Sequence, residues 1–389
     1  MSWPNGVVRP FEIHFADSDL IDLKSRLART RWPDSEPVDD WSQGLPLRIA
    51  QDMCRYWEHD YDWRERERRL NSFPQFTTEL DGLVVHFVHV RSANPGAIPI
   101  VLTHGWPGSF VEYLSVVGPL VDPVAHGGAV EDSFDVVIPS LPGYAFSGKP
   151  TETGWGVART ARAWAGLMSQ LGYANFAAAG SDWGTSVSAS LGVQFPERVI
   201  GLHLIPPLVA PDPATFDSLT PAERNAIDDL EHANLSESGY SAEHATKPQT
   251  IGYGLVDSPS ALCSWLLEKF WSWSDNDGDL YSVISRDTIL DNLMMYWIPG
   301  TGASSVRMYW ESFSEIWAIF NTEVVDLVTV PVGASIFPRE NPRVSQRWAA
   351  RRFTDIRQWH ELERGGHFAA LEQPAVVAGE LASFFRLLR

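Results

Sequence analysis

Two periods of apolar and polar residues alternate along this chain, and the places where one gives way to the other divide it. Over residues 17–30, Leu20, Ile21, Leu23 and Leu27 recur at near-helical spacing behind a cap at Asp17 or Ser18, which predicts one amphipathic helix closed by the break at Trp32 and Pro33. A second helix is expected over about 47–61. The charged run from Arg64 to Arg69 that follows reads as a solvated helix face, not a binding patch. Residues 1–82 are thus expected to form a helical, aromatic-rich N-terminal extension.

The pattern changes at 83–90, an alternating run rich in valine. Residues 98–104, 134–138, 176–179 and 199–205 are near-continuous apolar runs of the kind that strands buried on both faces require. Helical patterns at about 109–121, 157–171 and 183–195 separate them, so the fold class is α/β with a mostly parallel, doubly wound sheet. Between 207 and 325 the strand pattern disappears. Helix starts dominate there, at Thr220-Pro221, Ser258-Pro259 and Ser285, and predict a helical insertion capping the sheet. Strand pattern resumes at 328–332 and 355–359, before a closing helix over about 374–388. The expected organisation is therefore an extension (1–82), a first core part (83–206), a cap (207–325) and a second core part (326–389). No internal repeat appears, and chemistry is expected at the carboxyl ends of the strands.

Composition narrows the function classes. The 389 residues are 44% hydrophobic and 20% charged, an ordinary globular balance. A net charge of −19 argues against nucleic acid as a partner, because phosphate binding needs clustered Lys and Arg. Cys54 and Cys263 are the chain's cysteines, far apart in sequence and without Cys/His clusters, so neither a disulfide framework nor a zinc site is expected. The start of the chain lacks a basic stretch followed by an apolar run, and nowhere do ~18 apolar residues follow one another. A cytoplasmic protein without a membrane anchor is the expectation. Seventeen tryptophans are many for this length, and some are expected to line an apolar pocket.

The candidate chemistry centres on residues 177–186, where an apolar strand runs through Gly180-Ser181-Asp182-Trp183-Gly184 into a helix. Small residues two before and two after the tip allow the tight strand-to-helix turn of a nucleophile elbow, and Asp182 stands at the tip where serine is usual. A serine alkylated on oxygen is an ether that water does not cleave; an alkylated carboxylate is an ester that activated water hydrolyses. The substitution points to attack on an alkyl carbon. The motif alone leaves open that Asp182 merely caps the following helix. His104-Gly105-Trp106-Pro107-Gly108-Ser109 follows the 98–104 strand, and there the N–H of Trp106 could join that of Trp183 in an oxyanion hole. Arg364-Gly365-Gly366-His367-Phe368 puts a histidine in a glycine-rich loop after the last strand, completing the chain order nucleophile, acid, histidine. Glu340 lies where the acid should be, with Asp355, Glu361 and Glu363 as competitors. The run from Gly143 to Lys149 has P-loop spacing, but Pro142 and Pro150 do not suit one, and it is expected to be a surface loop.

Taken together, H-G-W-P-G-S, S-L-P-G-Y-A-F-S, G-S-D-W-G, F-P-R-E and R-G-G-H-F-A-A, with Thr30-Arg31-Trp32-Pro33 in the extension, resemble the epoxide hydrolases of the α/β-hydrolase fold, in their microsomal and juvenile-hormone branch. The resemblance spans nearly the whole chain. It implies Asp182 as nucleophile, His367 as base, Glu340 as its partner, and Tyr240 and Tyr309 as cap phenols holding the epoxide oxygen, with Tyr253, Tyr281 and Tyr296 competing for the place of Tyr240. Its substrate would be a lipophilic or aryl epoxide, its co-substrate water, and no cofactor or metal would be needed. A homodimer is left open. A haloalkane or haloacid dehalogenase uses the same Asp/His chemistry, and a catalytically dead binding protein could share the fold. The membrane anchor of the microsomal members is not carried over.

Overall fold

The near-continuous apolar runs become the middle of one nine-stranded sheet. In the computed structural model, which describes residues 6–321 and 326–389, the strands are β1 (Arg9–Phe11), β2 (Gln75–Leu80), β3 (Leu83–Val90), β4 (Ile98–Thr103), β5 (Phe134–Pro139), β6 (Phe176–Ser181), β7 (Val199–Ile205), β8 (Val332–Ile336) and β9 (Ile356–Glu361). Their order is β1-β2-β3-β5-β4-β6-β7-β8-β9. The first three and the β3–β5 pair are antiparallel, and every later pair is parallel. Ile100, Val136, Ala178 and Leu202 are fully buried in the central strands, which is why these segments are apolar without alternation. The α/β-hydrolase fold with a mostly parallel sheet and a helical cap follows, the end of the expected cap at 325 lying outside the described residues.

The cap helices begin where their sequences say they should. Thr220 and Glu223 form a reciprocal capping box on helix Pro221–His232, Ser258 accepts from the N–H of Ala261, and Ser285 accepts from that of Thr288. Further helices Gly239–Thr246, Pro248–Asp257, Pro259–Trp273, Arg286–Trp297 and Gly302–Asn321 complete the cap.

Several expectations are corrected. The first helix, Asp17–Ala28, is preceded by Ala16 and has no side-chain cap, because Asp17 instead engages Arg64. The extension is not wholly helical: β1 and β2 add an antiparallel edge to the sheet. The charged run forms helix Trp63–Leu70, and it is a solvated face only in part, at Glu65, Arg68 and Arg69. Glu67 is buried and accepts from the Phe15 N–H at 2.9 Å, while Arg66 reaches buried Asp291 on the cap with Nε–Oδ1 at 2.9 Å. Strand β8 begins at Val332, where 328–332 was expected, since Pro331 cannot donate to a ladder and Val328 makes only an isolated bridge to Phe353. The 143–149 loop is largely buried rather than on the surface: the cap covers it, with Ser304 Oγ donating to the Gly143 carbonyl at 2.6 Å. Cys54 and Cys263, distant in sequence, are buried near one another as free thiols.

Candidate active site

Strand β6 ends at Ser181, helix Trp183–Gln194 begins at the next residue but one, and the whole reversal is taken by Asp182. Its φ of +52° with ψ of −124° is a strained combination for a residue with a Cβ. Crowding enforces the turn. A Cβ on Gly180 would stand 2.4 Å from the Gly184 carbonyl carbon, and one on Gly184 would stand 1.8 Å from the Thr103 oxygen. Within the helix it precedes, the carboxylate meets only the N–H of the first residue, Trp183, and makes no capping bond further in. It turns instead to the loop after β4, whose end lies beside that of β6 with Thr103 opposite Gly180. There Oδ1 accepts from the Trp106 N–H at 2.9 Å, and the Trp183 N–H also bonds the carboxylate. Gly105 is required at this approach, because a Cβ would fall 2.1 Å from Asp182 Oδ1. His104 holds the loop from below: Nδ1 donates to the Gly105 carbonyl at 3.0 Å and Nε2 accepts from the Leu141 N–H at 3.2 Å.

The loops after β8 and β9 deliver the second half of the site, joined by a bridge between Arg339 and Gly366. His367 Nδ1 donates to Glu340 Oε1 at 2.9 Å, and its Nε2 lies 3.7 Å from Asp182 Oδ2. The histidine backbone is pinned by the Trp273 carbonyl, which accepts its N–H at 2.8 Å. The competing acids are elsewhere: Asp355 pairs with Arg357, and Glu361 and Glu363 are exposed. Burial pushes the His367 imidazolium down, but the charge and hydrogen bond of Glu340 and the charge of Asp182 outweigh it and raise the pKa to about 9. Burial raises the Asp182 carboxyl, against the opposing pull of His367 and the two backbone N–H groups.

The cap supplies the phenols. Tyr240, on Gly239–Thr246, stacks on Trp106 with centroids 5.1 Å apart; Tyr309, on Gly302–Asn321, sets its edge to Trp183 at 4.8 Å. The two rings are 5.7 Å apart, and both line a cavity of about 430 Å³ with Asp182 and His367. Burial and the Asp182 charge raise the Tyr240 pKa, while a hydrogen bond from Tyr309 acts the other way. Tyr253 is 70% exposed, Tyr281 packs against Arg286, and Tyr296 donates to the Gly108 carbonyl, so none of the three lines this cavity. Phe313, Ile316, Trp317 and Phe320, from one face of the Tyr309 helix, make its wall apolar.

Two carboxyls beside the site carried no signal in the sequence. Glu112 is buried, and burial pushes its pKa up to about 7; it accepts from Ser181 Oγ, next to the nucleophile, at 3.1 Å. Glu372 accepts from the N–H groups of Gly366 and Phe368, on either side of His367, and from that of Asp275 in the cap. Nothing in their spacing from a motif marks either one. Among the described residues no group of three or more His, Cys, Asp or Glu is arranged to hold a metal ion.

Residues 8–113 match the family model described as epoxide hydrolase N terminus, and residues 98–232 match that of the α/β hydrolase fold. A putative epoxide hydrolase of Stigmatella aurantiaca is 49% identical over 98% of this chain and 86% of its own length. Epoxide hydrolase 1 of Oryctolagus cuniculus is 33% identical over 98% of this chain and 89% of its own. Among solved structures, the juvenile hormone epoxide hydrolase of Bombyx mori superposes with a TM-score of 0.90 at 30% identity, covering 99% of this chain and 95% of its own. The epoxide hydrolase of Aspergillus niger gives 0.89 at 32%, covering 100% and 99%.

Proposed function

The chain belongs to the epoxide hydrolases of the α/β-hydrolase fold, and from that premise we propose how its own residues open the ring. Asp182 attacks an epoxide carbon from the back side while Tyr240 and Tyr309 hydrogen-bond the oxygen and give it a proton, since an alkoxide is too basic to leave unprotonated near neutral pH. A covalent ester and a free hydroxyl result. In the resting enzyme the neighbouring Glu340 and Asp182 hold the His367 pKa near 9, so it is an imidazolium. Alkylation removes the Asp182 charge, and with it part of what held the proton, so His367 gives that proton up to the phenolate left by ring opening and becomes a base when a base is needed. It then takes a proton from water, which adds to the ester carbonyl; the N–H groups of Trp106 and Trp183 hold the oxyanion, and as it collapses His367 returns the proton to the departing oxygen, so that a vicinal diol leaves.

The observation that carries this reading is the pair of contacts at His367, 2.9 Å to Glu340 and 3.7 Å to Asp182. The apolar wall supports a lipophilic or aryl epoxide as substrate. We place the enzyme in the cytoplasm, a reading supported by two buried, unbridged thiols. No helix among the described residues is long and apolar enough to cross a membrane.

The experiment is single-turnover alkylation by styrene oxide, followed by tryptophan fluorescence. Tyr309→Phe should slow it on the order of tenfold to a hundredfold, the range for a general acid, and the double change with Tyr240→Phe should nearly abolish it. Binding of the diol should change far less, because the donors act as charge develops on oxygen. Wild-type alkylation by the double variant, or ready halide release from haloalkanes by an enzyme that ignores epoxides, would contradict the reading.

A further inference from the structure

Lys269 is a buried ammonium that the mechanism above does not use. It lies on helix Pro259–Trp273 and is 4% exposed, with Nζ 4.8 Å from the centroid of the Tyr240 ring and 5.5 Å from that of Trp273. Its counter-ions are Glu268 at 2.7 Å and Glu237 at 3.6 Å. Pairing with glutamate does not by itself explain the placement, because such a pair forms in water without the cost of desolvating an ammonium. The position against the phenol ring has to be accounted for.

We infer that Lys269 is a positioning residue for ring opening: its ammonium, set on the Tyr240 ring, stabilises the negative charge that the phenol acquires as it gives its proton to the epoxide oxygen. This rests on the reading of Tyr240 as a proton donor. A neutral phenol attracts a cation only through its ring quadrupole, but a phenol that is losing its proton spreads real negative charge into the ring. The attraction therefore grows from ground state to transition state, which is the condition for an interaction to accelerate the step. The charged groups around Tyr240 make the need plain. Burial, and with it Asp182, Glu268 and Glu340, hold the phenolic proton more tightly, and the Tyr309 hydrogen bond opposes them. His244 packs edge-on to the ring at 5.6 Å, but burial and the Lys269 charge depress its pKa to about 3, so it is neutral. His367 pairs with Asp182 and Glu340, whereas Lys269 pairs with Glu268 and is the cation set on the face of the Tyr240 ring itself.

The test is a double-mutant cycle on single-turnover alkylation by styrene oxide, with Tyr240→Phe, Lys269→Met and the pair, and with Lys269→Arg as the conservative rescue. Lys269→Met should slow alkylation on the order of tenfold, the scale of a desolvated cation–ring contact, and Lys269→Arg should recover most of it. In the Tyr240→Phe background Lys269→Met should have almost no further effect, and in both backgrounds ester hydrolysis and diol affinity should stay within about twofold. Lys269→Gln, a neutral residue that keeps a hydrogen bond for Glu268, stands in if the methionine variant does not fold. If Tyr240→Phe alone leaves alkylation unchanged, the donor reading falls and this inference with it. If Tyr240→Phe slows alkylation but neutralising Lys269 does not, or slows it equally with the phenol gone, the donor reading stands and the role of Lys269 is overturned.

Discussion

Asp182 is held in a conformation that costs a residue with a Cβ, and the strain is maintained by glycines on either side that nothing larger could replace. At this scale the choice of carboxylate over hydroxyl decides the chemistry. Asp182→Ser should bind epoxide yet fail to turn it over, because any ether it forms is a dead end; multiple turnovers by that variant would refute the argument. The neighbouring charge makes a second prediction. His367 has its pKa raised from 6.5 to about 9, so its ion pairs stabilise the fold fully below about pH 6.5, and that contribution is lost as pH rises through about 9. Asp182→Asn, a neutral stand-in for the ester, removes one of the charges that raise it. NMR titration of the imidazole should then show a midpoint below that of wild type, whereas an unchanged midpoint would show that Asp182 does not control the base. Asp182 and His367 were legible in the sequence because glycines stand on both sides of the first and directly before the second. Glu340 could be named only ahead of rivals, since the distance that separates it from Asp355 is spatial. Glu112 was not legible at all: its carboxyl reaches the elbow by a turn that no residue spacing records.

Among the elements, the buried strands could be read directly, because strands covered on both faces must be apolar throughout. The edges could not. β1 is three residues long, and β2, Gln75–Leu80, follows a helix without an apolar run, so their pairing depends on β3 rather than on their own composition. The Trp63–Leu70 helix misled for a related reason. Its charges look solvated until the cap folds over them, when Arg66 meets Asp291 at 2.5 Å and Tyr61 donates to the same carboxylate at 2.8 Å. Arg66→Leu should strand a buried carboxylate and cost about 3–5 kcal/mol in urea denaturation, and adding Asp291→Leu should recover much of the loss. An Arg66→Leu loss below about 1 kcal/mol, the range of surface pairs, would mean that this contact does not join extension and cap.

Across the whole molecule the chemistry is divided between two bodies. On the mechanism proposed above, the sheet's carboxyl ends carry Asp182, His367 and the N–H groups of Trp106 and Trp183, while the cap brings Tyr240, Tyr309 and Lys269 beside them. Formation and hydrolysis of the ester accordingly draw on different residues, and removing the base should separate them in time. His367→Gln leaves Asp182, the cap tyrosines and the Trp106 and Trp183 N–H groups in place. Intact-mass measurement after mixing this variant with styrene oxide should show the protein heavier by one substrate, and peptide mapping should place the adduct on Asp182. A folded His367→Gln protein that binds the epoxide and is recovered at its unmodified mass would contradict a covalent Asp182 intermediate.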